Sequence, residues 1–459
     1  MAQPLAAAPA THQEMPAGAA PAPAPALPPW GQARLIGFRF VFSYLVLYNV
    51  PAPIDRVVGS YGLDAAFMWF WQAMVTFVGE RVLHRSRNVL DIAGDVSGDS
   101  TGYFVRLLCV VALAAVATLV WTLVDRRSQD HRRLHAGLRV YVRYVLGCYL
   151  VLYGMIKVIK TQFLFPHSMR LREAYGETSP MGLLWTFMGY STPYTVFAGA
   201  AEAGAGILLF FRRTTTLGAL LAAAVMANVV MINLSYDVSV KLLSWNLLLM
   251  AVFLLAPDLR RLADLLVLHR PTAPRAAATP ASAASPWPRF LGPRWRRLGR
   301  VALKSSFIAY ILLSDTKMSL DRWRMIDGRV ARVKALGTMT YAVDHFVRNG
   351  TPVPPSPAAS RRWQWLTFHR DGKAAVVIAE DQALDAHYDM TRQLFVVWNG
   401  DHSQRLGVLT CSQPDSDHLV LTGRLAGDAL LVRLERVDEA RFFLVRRGFH
   451  WITEVPVNR

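Results

Sequence analysis

One carboxylate stands apart in this sequence: Glu202, inside the Gly- and Ala-rich apolar run 197–209. A charge in such a run is expensive and asks for a partner or a ligand. Lys157 and Lys160 close an earlier apolar run, and Lys157 stands four residues after Tyr153, on the same helix face. Two readings are open. In one, Glu202 pairs with a lysine or arginine and fixes how two helices pack. In the other, Glu202 and Lys157 face each other in a polar pocket and hold the head group of a lipophilic molecule.

The segment 161–193 lies between them. Gln162, His167, Arg170, Glu173, Tyr175 and Glu177 crowd its first half, and the chain then dips into the apolar run 181–188 before breaking at 189–193. That pattern suggests a re-entrant or tilted segment lining a cavity. Acid, base and hydroxyl groups are all present, so proton transfer is within its chemistry. A hydrogen-bonded structural loop fits the same residues. Further on, Asp237 and Lys241 form an i,i+4 pair at the start of a span, with Asp237 placed to cap the helix. Asn228, Asn233 and Asn246 are candidates for amide bonds between helices. Gly199, Gly204 and Gly206 allow close backbone approach.

Other chemistries find no motif. There is no Gly-rich phosphate loop, no HExxH and no GxSxG. His131 and His135 are four apart but sit among arginines, and no metal site is expected there. The three cysteines, Cys109, Cys148 and Cys411, show no CxxC spacing.

The elements that must position these residues are membrane helices. Of the 459 residues, 53% are hydrophobic and 18% charged, with a mean hydropathy of +0.25. A soluble domain carries about 25% charged residues. This excludes a disordered or fibrous chain and argues against an ordinary cytosolic enzyme. Residues 1–33 read as a disordered Ala/Pro-rich tail. Seven spans follow, at 34–50, 104–124, 138–159, 194–211, 215–235, 240–256 and about 300–315, with an interfacial helix at 65–83 and a Pro/Ala/Arg-rich linker at 271–298. The net charge of +18 is mostly in the loops of this half, where it signals topology; no nucleic-acid partner is expected. Fifteen Lys and Arg fall in loops on one side and six on the other, which makes the first side cytoplasmic. The chain then ends outside the inner membrane, whether or not 65–83 spans. Residues 317–350 read as a helical connector. Past them, runs such as 361–370, 374–380, 393–400, 418–425, 428–437 and 449–454 alternate like strands, with hairpin turns at Arg370-Asp371-Gly372, Asn399-Gly400-Asp401 and Ala426-Gly427-Asp428. The fold class is thus an α-helical polytopic membrane bundle followed by an antiparallel β-barrel or sandwich over 351–459. A lipocalin-like barrel is the first expectation.

Several runs bear a resemblance. Tyr153-Gly154-x-x-Lys157 with Gln162-Phe163, Ser179-Pro180-Met181-Gly182-Leu183, Phe187-Met188-Gly189, Glu202, Arg212-Arg213-Thr214 with Leu217-Gly218, and the stretch from Asn228 to Lys241 resemble DoxX-like membrane proteins over residues 34–256. The closing 449–459 resembles the tail of long bacterial members. The run 201–211 is similar to the membrane domain of vitamin-K-dependent carboxylases. The DoxX resemblance implies redox work near the quinone pool, beside an oxidoreductase such as thiosulfate:quinone oxidoreductase. The carboxylase resemblance implies oxygenation of a reduced quinone and a lysine base two residues after the Ser-Pro pair. Gly182 stands there instead, which argues against carboxylase chemistry.

The functional expectation is a redox-associated membrane subunit that holds a quinone-like or lipid molecule. Its partners would be the bilayer and an oxidoreductase or envelope protein. A membrane-anchored protein whose β domain binds a lipid or partner is the alternative. A transporter ranks third, since no repeat of spans is visible.

Overall fold

The computed structural model describes residues 29–56, 61–92, 98–128, 130–166, 170–171, 175–272, 293–335, 339–354, 362–368, 373–378, 383–389, 392–398, 404–438, 442 and 444–445. The tail 1–28, most of the 271–298 linker, the turns at 370–372 and 399–401 and the closing 449–459 lie outside the described residues.

The first half is helical: α1 (Gln32–Asn49), α2 (Tyr61–Arg81), α3 (Thr101–Val124), α4 (Arg132–Val158), α5 (Pro180–Tyr190), α6 (Thr192–Phe210), α7 (Thr215–Ser235), α8 (Lys241–Leu255), α9 (Leu259–Leu266) and α10 (Pro293–Ala335). Among the described residues, five helices are long and apolar enough to cross a membrane: α3, α4, α6, α7 and the run Lys241–Leu266. They carry large apolar side chains outward, such as Leu119 on α3 and Met231 on α7, at 60% exposure each. An aqueous surface would not tolerate such a stripe, whereas lipid does. The 65–83 segment is one helix, α2, packed through Trp71 and Val75 onto Val105, Cys109 and Val110 of α3.

Two boundaries differ from expectation. Trp30 belongs to the bundle rather than to a free tail: it is buried, edge-on to Phe38 with ring centroids 5.4 Å apart. The last span and the connector are one continuous helix, α10, of 43 residues. At about 1.5 Å per residue it is roughly 65 Å long, about twice the hydrocarbon thickness of a bilayer. Its Ile308 and Ile311 pack with Cys148 and Val151 of α4 and Phe210 of α6.

The connector does not stay helical to 350. Residues 339–348 form a strand, β1 (Met339–Arg348). The reason lies in its register. A shift between Val343 and His345 puts an extra residue in the strand, so the buried side chains are Tyr341, Val343 and Phe346. The three-residue step from Val343 to Phe346 imitates a helix in the sequence. The rest are β2 (Thr351–Pro352), β3 (Trp363–Phe368), β4 (Lys373–Ile378), β5 (Ala383–Asp389), β6 (Leu394–Trp398), β7 (Arg405–Ser412), β8 (His418–Leu425) and β9 (Asp428–Arg436).

They make one antiparallel sheet in the order β2-β1-β3-β4-β5-β6-β7-β8-β9, not the two sheets of a sandwich, and β1 also pairs with β9 from Tyr341↔Arg436 to Arg348↔Leu430. One face is apolar and packed, with Trp363, Phe346 and Phe395 all at 2% exposure or less. The turn at Ala426-Gly427 has both residues at positive φ (50° and 91°), the backbone of a two-residue hairpin. Trp363 and Trp365 do not share a face as their alternation suggests. A second register shift lies between them, so Trp363 is buried together with Leu366.

Candidate functional site

The expected encounter between α4 and α6 occurs. Lys157 Nζ donates to Glu202 Oε2 at 2.7 Å, with 11% and 4% of the two side chains exposed. Small residues make it reachable. A Cβ on Gly154 would stand 2.6 Å from the Gly199 carbonyl oxygen and the Ala203 nitrogen, and one on Gly206 would stand 2.7 Å from the Gly147 carbonyl oxygen. The helices therefore touch backbone to backbone along this seam. Gly204 has open space around it and takes no part. Lys157 Nζ also lies 5.8 Å from the centroid of the Tyr153 ring, one turn back.

The chain turns at the end of α4. Lys160 takes a left-handed conformation (φ 55°), and the amides of Thr161 and Gln162 both bond to the Ile156 carbonyl. Lys160 Nζ donates to Thr192 Oγ1 at 2.6 Å, tying this turn to the start of α6. Gln162 is half-buried, and its Oε1 has no donor among the described residues.

Arg170 goes elsewhere. Its guanidinium lies against Gly182 in the first turn of α5, where a Cβ would meet it at 2.7–3.0 Å. Helix α5 starts at Ser179, whose Oγ accepts from Gly182 N, and breaks at Ser191, whose Oγ accepts from Tyr194 N. The apolar run 181–188 is thus a short helix folded against α6. Tyr175 is 80% exposed in the turn Tyr175–Glu177. His167, Glu173 and the Glu177 side chain lie outside the described residues.

Three further candidates are not brought to the pair. Asn228 faces outward from α7, exposed. Asp237 is not the cap of α8: it sits three residues before Val240, the residue at the cap position, in a left-handed conformation (φ 51°), with its carboxylate 83% exposed and bonded to Lys241 Nζ at 2.7 Å. The cap comes from a distant loop. Asp99 accepts from Lys241 N at 2.6 Å and Leu242 N at 2.9 Å, a negative charge on the positive end of the helix. Asn246 is buried and donates to Asn49 Oδ1 at 3.2 Å, joining α8 to α1.

Sequence reasoning missed the buried cations that lock the other end of the bundle. Arg39 donates from Nη1 to Thr122 Oγ1 (3.0 Å), from Nη2 to the Asp125 carbonyl (2.9 Å) and from Nε to His131 Nε2 (3.2 Å). Burial, with the Arg39 charge added, pushes His131 below the usual histidine range, so its ring is neutral and can accept. Trp30, Phe38 and Trp121 surround that ring. Arg143 donates to the Leu209 and Phe210 carbonyls at the end of α6. The signal was present in the sequence: arginines at 39 and 143 inside apolar runs.

Against known proteins, no family model and no solved structure matches the chain. A Bacillus subtilis (strain 168) protein named Uncharacterized protein YwoB is 34% identical over 148 residues, 30% of this chain and 88% of that relative. The chain belongs to the YwoB family. YwoB is much the shorter protein, since 148 residues make up 88% of it, and most of this chain lies outside the match. The name YwoB states no activity, so the family tie adds none to the geometry.

Proposed function

We propose that this chain is a DoxX-like, multi-pass inner-membrane protein whose bundle holds the head group of a quinone-like or lipid molecule at the Lys157–Glu202 pair. In this reading it serves as a redox-associated subunit beside an oxidoreductase. Helices α1 and α10 join the five apolar helices as spans, seven in all, and the β domain stands outside as a lipocalin-like barrel. The observation that carries the reading is the buried pair itself. It closes a tight glycine seam, and the half-buried Gln162, whose side-chain carbonyl oxygen has no donor among the described residues, stands five residues beyond Lys157 in the chain. A carbonyl- or hydroxyl-bearing ring would find there a cation, a carboxylate and an amide. The bundle is preferred to the β domain because the apolar face of the sheet is filled by its own Trp363, Phe346 and Phe395.

The test is mass spectrometry of organic extracts from the purified native protein, against a membrane-protein control from the same cells. The reading expects a quinone enriched near one per chain and weakened retention in Glu202→Gln. Ordinary phospholipid alone, or unchanged retention in a normally folded E202Q protein, overturns it.

A further inference from the structure

A second polar site lies among α1, α2, α3 and α4, and it does not depend on the Lys157–Glu202 reading. Its centre is Arg106, in the second turn of α3. Arg106 is half-buried, and the other cations of the bundle described above have partners: Arg39 and Arg143 bond to oxygens and Lys157 to Glu202. Arg106 has no hydrogen bond and no carboxylate at ion-pair distance among the described residues. It lies instead 5.2 Å from the centroid of the Trp71 ring, and the groups that act on its charge are the hydroxyls of Tyr48, Tyr103 and Tyr149.

Trp71 is 2% exposed, and its indole N–H finds no acceptor among the described residues. Guanidinium and indole can only donate. The Tyr103 hydroxyl already donates to the Ile92 carbonyl at 3.3 Å. Among the described residues the Trp71 N–H therefore has no acceptor within hydrogen-bond reach, and the Arg106 charge has no carboxylate at ion-pair distance. Each of these is costly inside a bundle, and one group removes both costs: an oxygen-bearing anion.

The wall is built, not loose. Gln72 holds the loop before α3 by donating to the Leu90 carbonyl (3.0 Å) and accepting from Ile92 N (2.8 Å), and both Leu90 and Ile92 are fully buried. The surroundings are apolar. Arg106 is half-buried in α3, an apolar candidate span with a mean hydropathy of 2.6, so a group that reaches it comes through the bilayer. An anion that arrives that way carries a hydrocarbon tail.

We propose that Arg106 and Trp71 bind the head group of an anionic phospholipid, with the phosphate oxygens taking the guanidinium and indole donors. The full-length protein, purified and stripped of lipid in detergent, is titrated with phosphatidylglycerol or phosphatidylcholine and the bound lipid is counted by native mass spectrometry. Phosphatidylglycerol should be preferred by about tenfold, since only it supplies the missing charge. Arg106→Gln should abolish the preference, Arg106→Lys should keep part of it, and Trp71→Phe, which keeps the ring but not the N–H, should weaken it. Should R106Q fail to fold, R106K and W71F carry the comparison. Equal binding of the two lipids, or undiminished preference in folded R106Q or W71F, overturns the proposal. A millimolar excess of inorganic phosphate should leave the lipid bound. Displacement by it would make this a site for a free anion and overturn the lipid assignment.

Discussion

At the scale of single residues, Lys157 and Glu202 have a structural role whatever they bind. Two charges this deeply buried gain little net stability over apolar side chains of the same size, but either one left alone is expensive. Lys157→Met or Glu202→Leu should each lower stability by about 3–5 kcal/mol, because each strands the other charge. The double variant K157M/E202L should recover most of that loss. Thermal melts of the purified proteins measure all three. Losses that simply add would mean that the two residues are not coupled, against the 2.7 Å contact. The same cycle guards the ligand test, since E202Q must be compared as folded protein.

At the scale of elements, the α4–α6 seam decides how near these charges come. Gly154→Ala puts a methyl 2.6 Å from backbone atoms of α6, which cannot swing aside as a side chain can. A loss of about 1–3 kcal/mol is expected, as for other overpacked contacts. Gly204→Ala, on the same helix pair but facing open space, should be neutral or gain up to about 1 kcal/mol from helix propensity. Melting in one detergent compares the two, and equal effects would refute the seam. This contrast shows what was legible in the sequence. That Glu202 needs a cation, and that Lys157 is within reach, follows from the cost of charge in an apolar run. Which glycines face the partner does not, because α6 has glycines at 199, 204 and 206 and only the packing selects among them. The strands divide the same way. β8 and β9 keep a regular alternation and are legible. β1 and the start of β3 each carry a register shift, and one extra residue turns a two-residue period into a three-residue step. Strands β5 and β7 escaped notice because Asp, His, Gly and Arg interrupt their apolar runs. The cap of α8 was illegible for another reason: Asp99 is 142 residues away from Lys241.

At the scale of the whole molecule, the distribution of charge makes a claim about sides. Loop 125–131 and the segment 257–300 are dense in arginine, whereas 161–193 carries only Arg170 and Arg172. Cationic loops resist translocation, so the proposed topology keeps the first two in the cytoplasm. Between Arg127 and the β domain the seven-span reading counts α4, α6, α7, α8 and α10. That number is odd, so Arg127 and the β domain fall on opposite sides, and the behaviour of α2, which precedes both, cannot change this. All three native cysteines are buried and free, so a single introduced cysteine can be labelled over a low background. Arg127 is exposed in the α3–α4 loop and Ser416 is exposed between β7 and β8. In spheroplasts, a membrane-impermeant maleimide should label Ser416→Cys at once and Arg127→Cys only after the membrane is broken. Labelling of both from one side would leave an even number of spans between them, and one of α4, α6, α7, α8 and α10 would then have to lie along the membrane rather than through it.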